Sequence, residues 1–235
     1  MTIAATARAT PRHRLPLVTG ATVGRILSVL RREAGSWNAP VLTLMAAEKH
    51  DPFLTLIGCI LSLRTKDETT AVAAPRLFAR AATPQAMLAL SAAEIERLIF
   101  PVGFYRTKAR VIQTICRDLL ERFNGVVPDS LDDLLSLKGV GRKTANLVIT
   151  EAFGKPGICV DTHVHRISNR WGLVRTATPD QTEAALREVL PRRYWLEYNA
   201  LLVAFGQTLC QPLSPWCSRC PIAARCPRIG VVRSR

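Results

Sequence analysis

Leu137-Lys138-Gly139-Val140-Gly141-Arg142-Lys143-Thr144-Ala145-Asn146 is the stretch on which the fold of this chain turns. Before it, Pro128 and Ser130 open a short helical pattern, with Asp133 three residues after the capping serine and Leu134, Leu135 and Leu137 behind it. After it, Ala145, Leu147, Val148 and Ile149 resume a helical pattern that Gly154 and Pro156 stop. Two helices should therefore meet at a very tight turn. Gly139 and Gly141 allow positive φ there and put no side chain between the turn and an approaching surface. The amides that open the second helix would be unpaired and point outward, which suits a phosphate. A tight connection with no ligand is the plain alternative.

Working outward, the patterns stay helical. Ile26, Leu27 and Leu30 recur at helical spacing within residues 23–32, with arginines on the other side. Residues 52–63 are apolar nearly all round, as a buried core helix is. Further helices are expected over 69–79, 84–90, 92–99 and 108–123, with Thr83-Pro84 and Ser91 as start signals. No convincing strand run interrupts them, so the fold class is all-α. No repeat at a fixed period occurs, and the tail after Cys226 is expected to be loose.

A chain of 235 residues, 48% of them hydrophobic, can bury one large helical core or two smaller ones. Lys and Arg number 32 against 18 Asp and Glu, and the net charge of +14 makes a polyanion the natural partner, nucleic acid ahead of an anionic membrane surface. The most apolar stretches, 53–63 and 199–205, fall short of the about 20 residues a membrane span needs, so no membrane association is expected. No acidic residue precedes Glu33, while Arg8, Arg12, Arg14 and Arg25 do. Residues 1–20 read as a flexible basic arm adding weak phosphate contacts, with an organelle transit segment as the alternative. Location is accordingly open between a bacterial cytoplasm, at the nucleoid, and an organelle or nucleus.

Lys143 falls in the first turn of the second helix, where the positive end of the dipole opposes an ammonium. An amine nucleophile needs such a setting; an exposed lysine that helps to clamp phosphate is the other reading. Asp161 closes an apolar approach and opens a helical stretch, the position of an N-cap, and a carboxylate there could also take a proton. His163 and His165 are two apart, point different ways on a helix and make a poor metal pair. Cys210, Cys217, Cys220 and Cys226 stand in a C-x6-C-x2-C-x5-C spacing among prolines. Four thiolates so close can surround tetrahedral zinc or a 4Fe–4S cluster, and spacing alone leaves both open. Cys59, Cys116 and Cys159 sit in apolar contexts and read as packing residues.

Three of these features in this order resemble the endonuclease III family of helix-hairpin-helix DNA glycosylases and AP lyases, over about residues 23–228. The turn quoted above is similar to the family's hairpin, in which a lysine at the place of Lys143 is the Schiff-base nucleophile. Val160-Asp161-Thr162-His163-Val164-His165-Arg166 is similar to the segment with its catalytic aspartate, 18 residues after the lysine. The cysteine spacing is that of its iron–sulfur loop, which implies a 4Fe–4S cluster at Cys210, Cys217, Cys220 and Cys226. The resemblance implies two helical domains with a DNA groove between them. One is a helical barrel over 45–155 containing the hairpin; the other is a cluster domain of 21–44 and 156–235.

The reaction implied is excision of oxidised pyrimidines from double-stranded DNA through Lys143 and Asp161, then β-elimination at the abasic site, by a monomer. Gly139, Gly141, Arg142 and His165 would contact DNA. Two further segments match the family's DNA-inserting loops: Leu61-Ser62-Leu63-Arg64-Thr65-Lys66-Asp67, and the run from Pro101 through Phe104 to Lys108. Arg64 departs from the usual glutamine, so a charged, guanine-seeking side chain would fill the hole left by the extruded base. Phe104 would stack on the exposed partner base, or else pack in the core. A monofunctional mismatch glycosylase is the first rival. The adenine-excising relatives carry a catalytic Glu before the first DNA loop, and residues 51–63 hold none. A non-catalytic iron–sulfur DNA-binding protein is the second.

Overall fold

The computed structural model describes residues 17–37 and 51–235. Most of the basic arm and the expected boundary near residue 45 lie outside them. Eleven α-helices occur among the described residues, and no strand does. They are α1 (Val23–Glu33), α2 (Pro52–Ser62), α3 (Asp67–Phe78), α4 (Pro84–Leu88), α5 (Ala92–Ile99) and α6 (Tyr105–Phe123). The chain continues through α7 (Leu131–Ser136), α8 (Arg142–Glu151), α9 (Thr162–Arg170), α10 (Pro179–Val189) and α11 (Trp195–Thr208).

Local chemistry sets the starts. Asp51 accepts the amides of Phe53 and Leu54 ahead of Pro52 at the first position of α2. Thr83, Ser130 and Thr178 cap α4, α7 and α10, and Ser91 with Glu94 forms a capping box on α5. Two elements start earlier than their apolar periodicity implies. α3 opens at Asp67, whose acidic first turn with Glu68 suits the helix dipole, and α6 opens at Tyr105, directly after Phe104 turns the backbone left-handed. Polar first turns hide such starts from a hydrophobic pattern.

Buried apolar residues form two clusters. The first is built on α2, whose residues 53–61 are all buried and which packs against α3, α6 and α8. The second gathers α1, α9 and α11 around Trp171, Tyr198 and Phe205. The extended run 158–160 passes between them. Its alternation sends Ile158 and Val160 into the second cluster and Cys159 into the first. Cys59, Cys116 and Cys159 are all buried, as packing residues should be.

The tail is not loose. Arg235 donates from its backbone to Pro215 and accepts from the Ser218 amide, its guanidinium reaches Gln211 and Ser214, and it lies 3.9 Å from the centre of the Trp216 ring. The Ile229 amide also donates to the Arg170 carbonyl. A short polar tail has no pattern that announces these contacts; they exist because the cysteine loop presents open carbonyls.

Candidate active site

An open cleft of about 1400 Å³ runs between the two clusters. One wall is the α2–α3 loop with the starts of α6 and α8; the other is the N-terminus of α9 with Asn199, Val203 and Gln207 of α11. Lys143 and Asp161 both line it, so the two residues singled out for chemistry share one space.

α8 begins after Gly141 with no side-chain cap. Its first amides are therefore left for an external acceptor. Positive φ is confined to Gly139, at 92°, where an added Cβ would come within 2.6 Å of Val111. Gly141 departs from the expectation: its φ is −92°, an ordinary extended value, and nothing lies within 4 Å of where its Cβ would be. Its role is to leave that open space uncovered rather than to bend the chain. The Lys143 side chain is exposed and makes no hydrogen bond or ion pair among the described residues.

Asp161 caps α9, Oδ1 accepting from the amides of His163 at 2.8 Å and Val164 at 2.9 Å. The capping uses one oxygen. Oδ2 has no hydrogen-bond partner among the described residues, so capping and proton transfer can coexist on one carboxylate. His163, which sequence reasoning left without a role, lines the cleft beside it. Burial pushes its pKa down against the opposing pull of Asp161. Arg166 donates to Nδ1 at 3.1 Å, which makes Nδ1 the acceptor and leaves the ring proton on Nε2.

Two expected DNA contacts sit differently. His165 turns away from the cleft, its Nδ1 2.7 Å from Thr182 Oγ1 on α10. The Arg142 guanidinium is held bidentately by Glu183 at 2.9 and 2.8 Å. Arg187 joins the same carboxylate at 2.9 Å and also donates to Asn146 on α8. What Arg142 retains for a phosphate is mainly its backbone amide. Burial raises the Glu183 pKa, but the two guanidiniums outweigh it and the net shift is downward. Glu183 carried no signal in the sequence, because its i+4 partner Arg187 looks like any surface pair and its other partner, Arg142, lies 41 residues away.

Arg64 and Phe104 meet at the cleft's rim. The guanidinium stands 5.6 Å from the Phe104 ring centre, and both residues are left-handed, at φ 51° and 58°. Phe104 is 61% exposed, which rules out core packing.

Residues 57–192 match the model of the HhH-GPD superfamily of base excision DNA repair proteins. Over 176 residues the chain is 48% identical to endonuclease III of Thermotoga maritima, covering 75% of this chain and 83% of that protein. It is 39% identical over 177 residues to endonuclease III of Synechocystis, covering 75% and 81%. The fold superimposes on a trapped endonuclease III–DNA covalent intermediate with a TM-score of 0.78 at 34% identity, covering 89% of this chain and 96% of that one. The chain belongs to the endonuclease III family. It is a DNA glycosylase of base excision repair, built on the all-α fold of that family.

The family's cysteine loop can be tested against this chain. Cys210, Cys217, Cys220 and Cys226 all line one small cavity of about 20 Å³, walled by residues such as Trp171, Phe205 and Ile222. Among the described residues no group of three or more His, Cys, Asp or Glu side chains is arranged to hold a single metal ion. The cavity nonetheless suits a thiolate-bound group. The buried Trp171 Nε1–H in its wall has no acceptor, and Arg170 donates to Cys210 Sγ at 3.3 Å. Burial pushes the Cys220 thiol up to about 12 and Cys226 to about 11, and a bound cationic centre would favour the thiolates of both. Arg170 further ties the loop through the Gln211 carbonyl at 2.7 Å, and Arg166 through Cys210 O at 2.8 Å. Their four-residue spacing on α9 was the legible hint that both face one way.

Proposed function

We propose that this chain is a bifunctional glycosylase and AP lyase that removes oxidised pyrimidines, such as thymine glycol, from double-stranded DNA and cuts at abasic sites, acting as a monomer. The observation that carries this reading is the unpartnered Lys143 amine sharing the cleft with the free oxygen of Asp161. With the damaged nucleotide extruded into the cleft, the Lys143 nitrogen attacks C1′ and the C1′–N bond to the base breaks. Asp161 Oδ2 accepts the proton that the amine sheds and stabilises positive charge on the sugar. The ring opens to a Schiff base, a C2′ proton is lost, and the C3′–O bond breaks with the electron pair leaving on the 3′ phosphate. The α8 amides and the chain's +14 charge hold the DNA backbone meanwhile.

Cys210, Cys217, Cys220 and Cys226 would hold a 4Fe–4S cluster with no open ligand position, whose part is to fold the loop and not to break bonds. The two buried clusters, with the cleft between them, are read as a barrel domain and a cluster domain.

Borohydride trapping on duplexes carrying thymine glycol or an abasic site tests the reading. A reduced adduct with wild type and none with Lys143→Ala is the expected result. A DNA-binding wild type that traps on neither substrate would overturn it. Iron and acid-labile sulfide at four each per chain supports the cluster; zinc in their place removes it.

A further inference from the structure

One buried cation has no part in the mechanism above. Lys108 on α6 is 6% exposed, and its ammonium donates to Leu61 O at 2.7 Å, Leu63 O at 2.5 Å and Thr65 Oγ1 at 3.0 Å. None of the ion pairs among the described residues involves it. Burial without a counter-ion pushes its pKa down to about 8, an arrangement that natural chains rarely keep without a use. Its acceptors are the carbonyls at the C-terminal end of α2, where a helix dipole favours a cation, and the hydroxyl of the loop that follows.

That loop presents Arg64, and a second one presents Phe104. The Thr65 hydroxyl takes both the Lys108 ammonium and the Gly103 amide, the latter at 3.2 Å. Gly103 comes so near the Arg64 carbonyl that a Cβ on it would lie 2.5 Å away. The second loop is anchored from behind, where the Arg76 guanidinium donates to Leu98 O and Phe100 O. Arg64 and Phe104 both stand in left-handed conformations, which bulky residues keep only where their surroundings impose it. Lys108, four residues after Phe104, bonds both carbonyls that flank the turn to Arg64 and the Thr65 hydroxyl that also takes the Gly103 amide.

We infer that Lys108 is a positioning residue that fastens the Arg64 and Phe104 loops into one preformed wedge, so that inserting the first into DNA carries the second with it. It touches neither the reacting atoms nor the extruded base; it acts through Arg64 and Phe104. The inference rests on the glycosylase reading, since a wedge matters only where a base is extruded.

The test separates strand opening from chemistry. A duplex carrying a tetrahydrofuran abasic analogue opposite 2-aminopurine reports insertion as a rise in fluorescence with no bond broken. Lys108→Met should lower that rise by about fivefold or more while Lys108→Arg keeps at least about half of it. Borohydride trapping by Lys108→Met at a natural abasic site should fall by about tenfold or more in paired duplex, but stay within about threefold of wild type when the site lies in an unpaired bulge. Equal losses on duplex and bulge would mean that Lys108 only supports the fold, and an unchanged 2-aminopurine rise would mean that the wedge stands without it; either overturns the inference. Should Lys108→Met not fold, Thr65→Ala keeps Lys108 and its two carbonyl acceptors but removes the hydroxyl through which the ammonium and the Gly103 amide of the second loop are joined. It must then show the fluorescence loss, and its failure to do so overturns the proposal. A wild type that unstacks 2-aminopurine yet traps nowhere counts against the lyase reading alone.

Discussion

At the scale of single residues, Asp161 answers to two demands that can be separated. Asn caps helices as well as Asp does, so Asp161→Asn should leave the folding free energy within about 0.5 kcal/mol of wild type while lowering single-turnover cleavage by roughly 10²–10⁴-fold. Asp161→Ala should lose the activity and in addition about 1 kcal/mol of stability, read from denaturant unfolding. The two hairpin glycines divide in the same way. Gly139→Ala meets Val111 and a φ of 92°, and should cost about 1–2 kcal/mol. Gly141→Ala meets neither obstacle; it should keep the stability and weaken DNA affinity by covering the α8 amides. Sequence alone offered two equivalent glycines. Only the backbone shows that one bends the chain and the other clears a surface.

Among elements, the link from α8 to α10 through Glu183 sets how the hairpin meets the opposite side of the cleft. Glu183→Gln leaves Arg142 and Arg187 without their shared carboxylate and should cost about 2 kcal/mol at neutral pH. The sign of its pH dependence follows from a folded pKa below the unfolded one. The unfolded chain then binds the proton more readily, so this contribution is complete above the ordinary glutamate range of about 4.3 and fades as pH falls through the folded value. Acid-unfolding curves of wild type and Glu183→Gln should therefore converge at low pH. Parallel curves down to acid would show that the ion pair does not stabilise the fold. The helices themselves were legible from capping residues and apolar spacing. This brace was not, because a carboxylate in an amphipathic helix looks like any solvated charge until its partners fold against it.

Taken whole, the molecule joins its two clusters by short crossings, the 158–160 run and the α8–α10 ion pairs, and closes the cysteine loop with its own C-terminus. Deleting residues 229–235 removes the Ile229 contact to Arg170 and every Arg235 contact to the loop. The shortened chain should melt several degrees lower and, if it carries the proposed cluster, lose iron on dilution, while Arg235→Lys without the deletion should fall between. Calorimetry and iron content check this, and an unchanged melting curve would show the tail to be dispensable.

The sequence by itself determined the all-α class, the helix starts at Ser91, Ser130 and Asp161, the hairpin with Lys143, and the cysteine spacing. Each is local: a cap, a turn or a spacing is written within a few residues of where it acts. Tertiary structure decided that Lys143 and Asp161 line one cleft, that His163 joins them while His165 turns to Thr182, and that Lys108 is buried against the end of α2 and the loop after it. Those outcomes depend on which faces of separate helices are buried against each other, and no short window of sequence contains both partners.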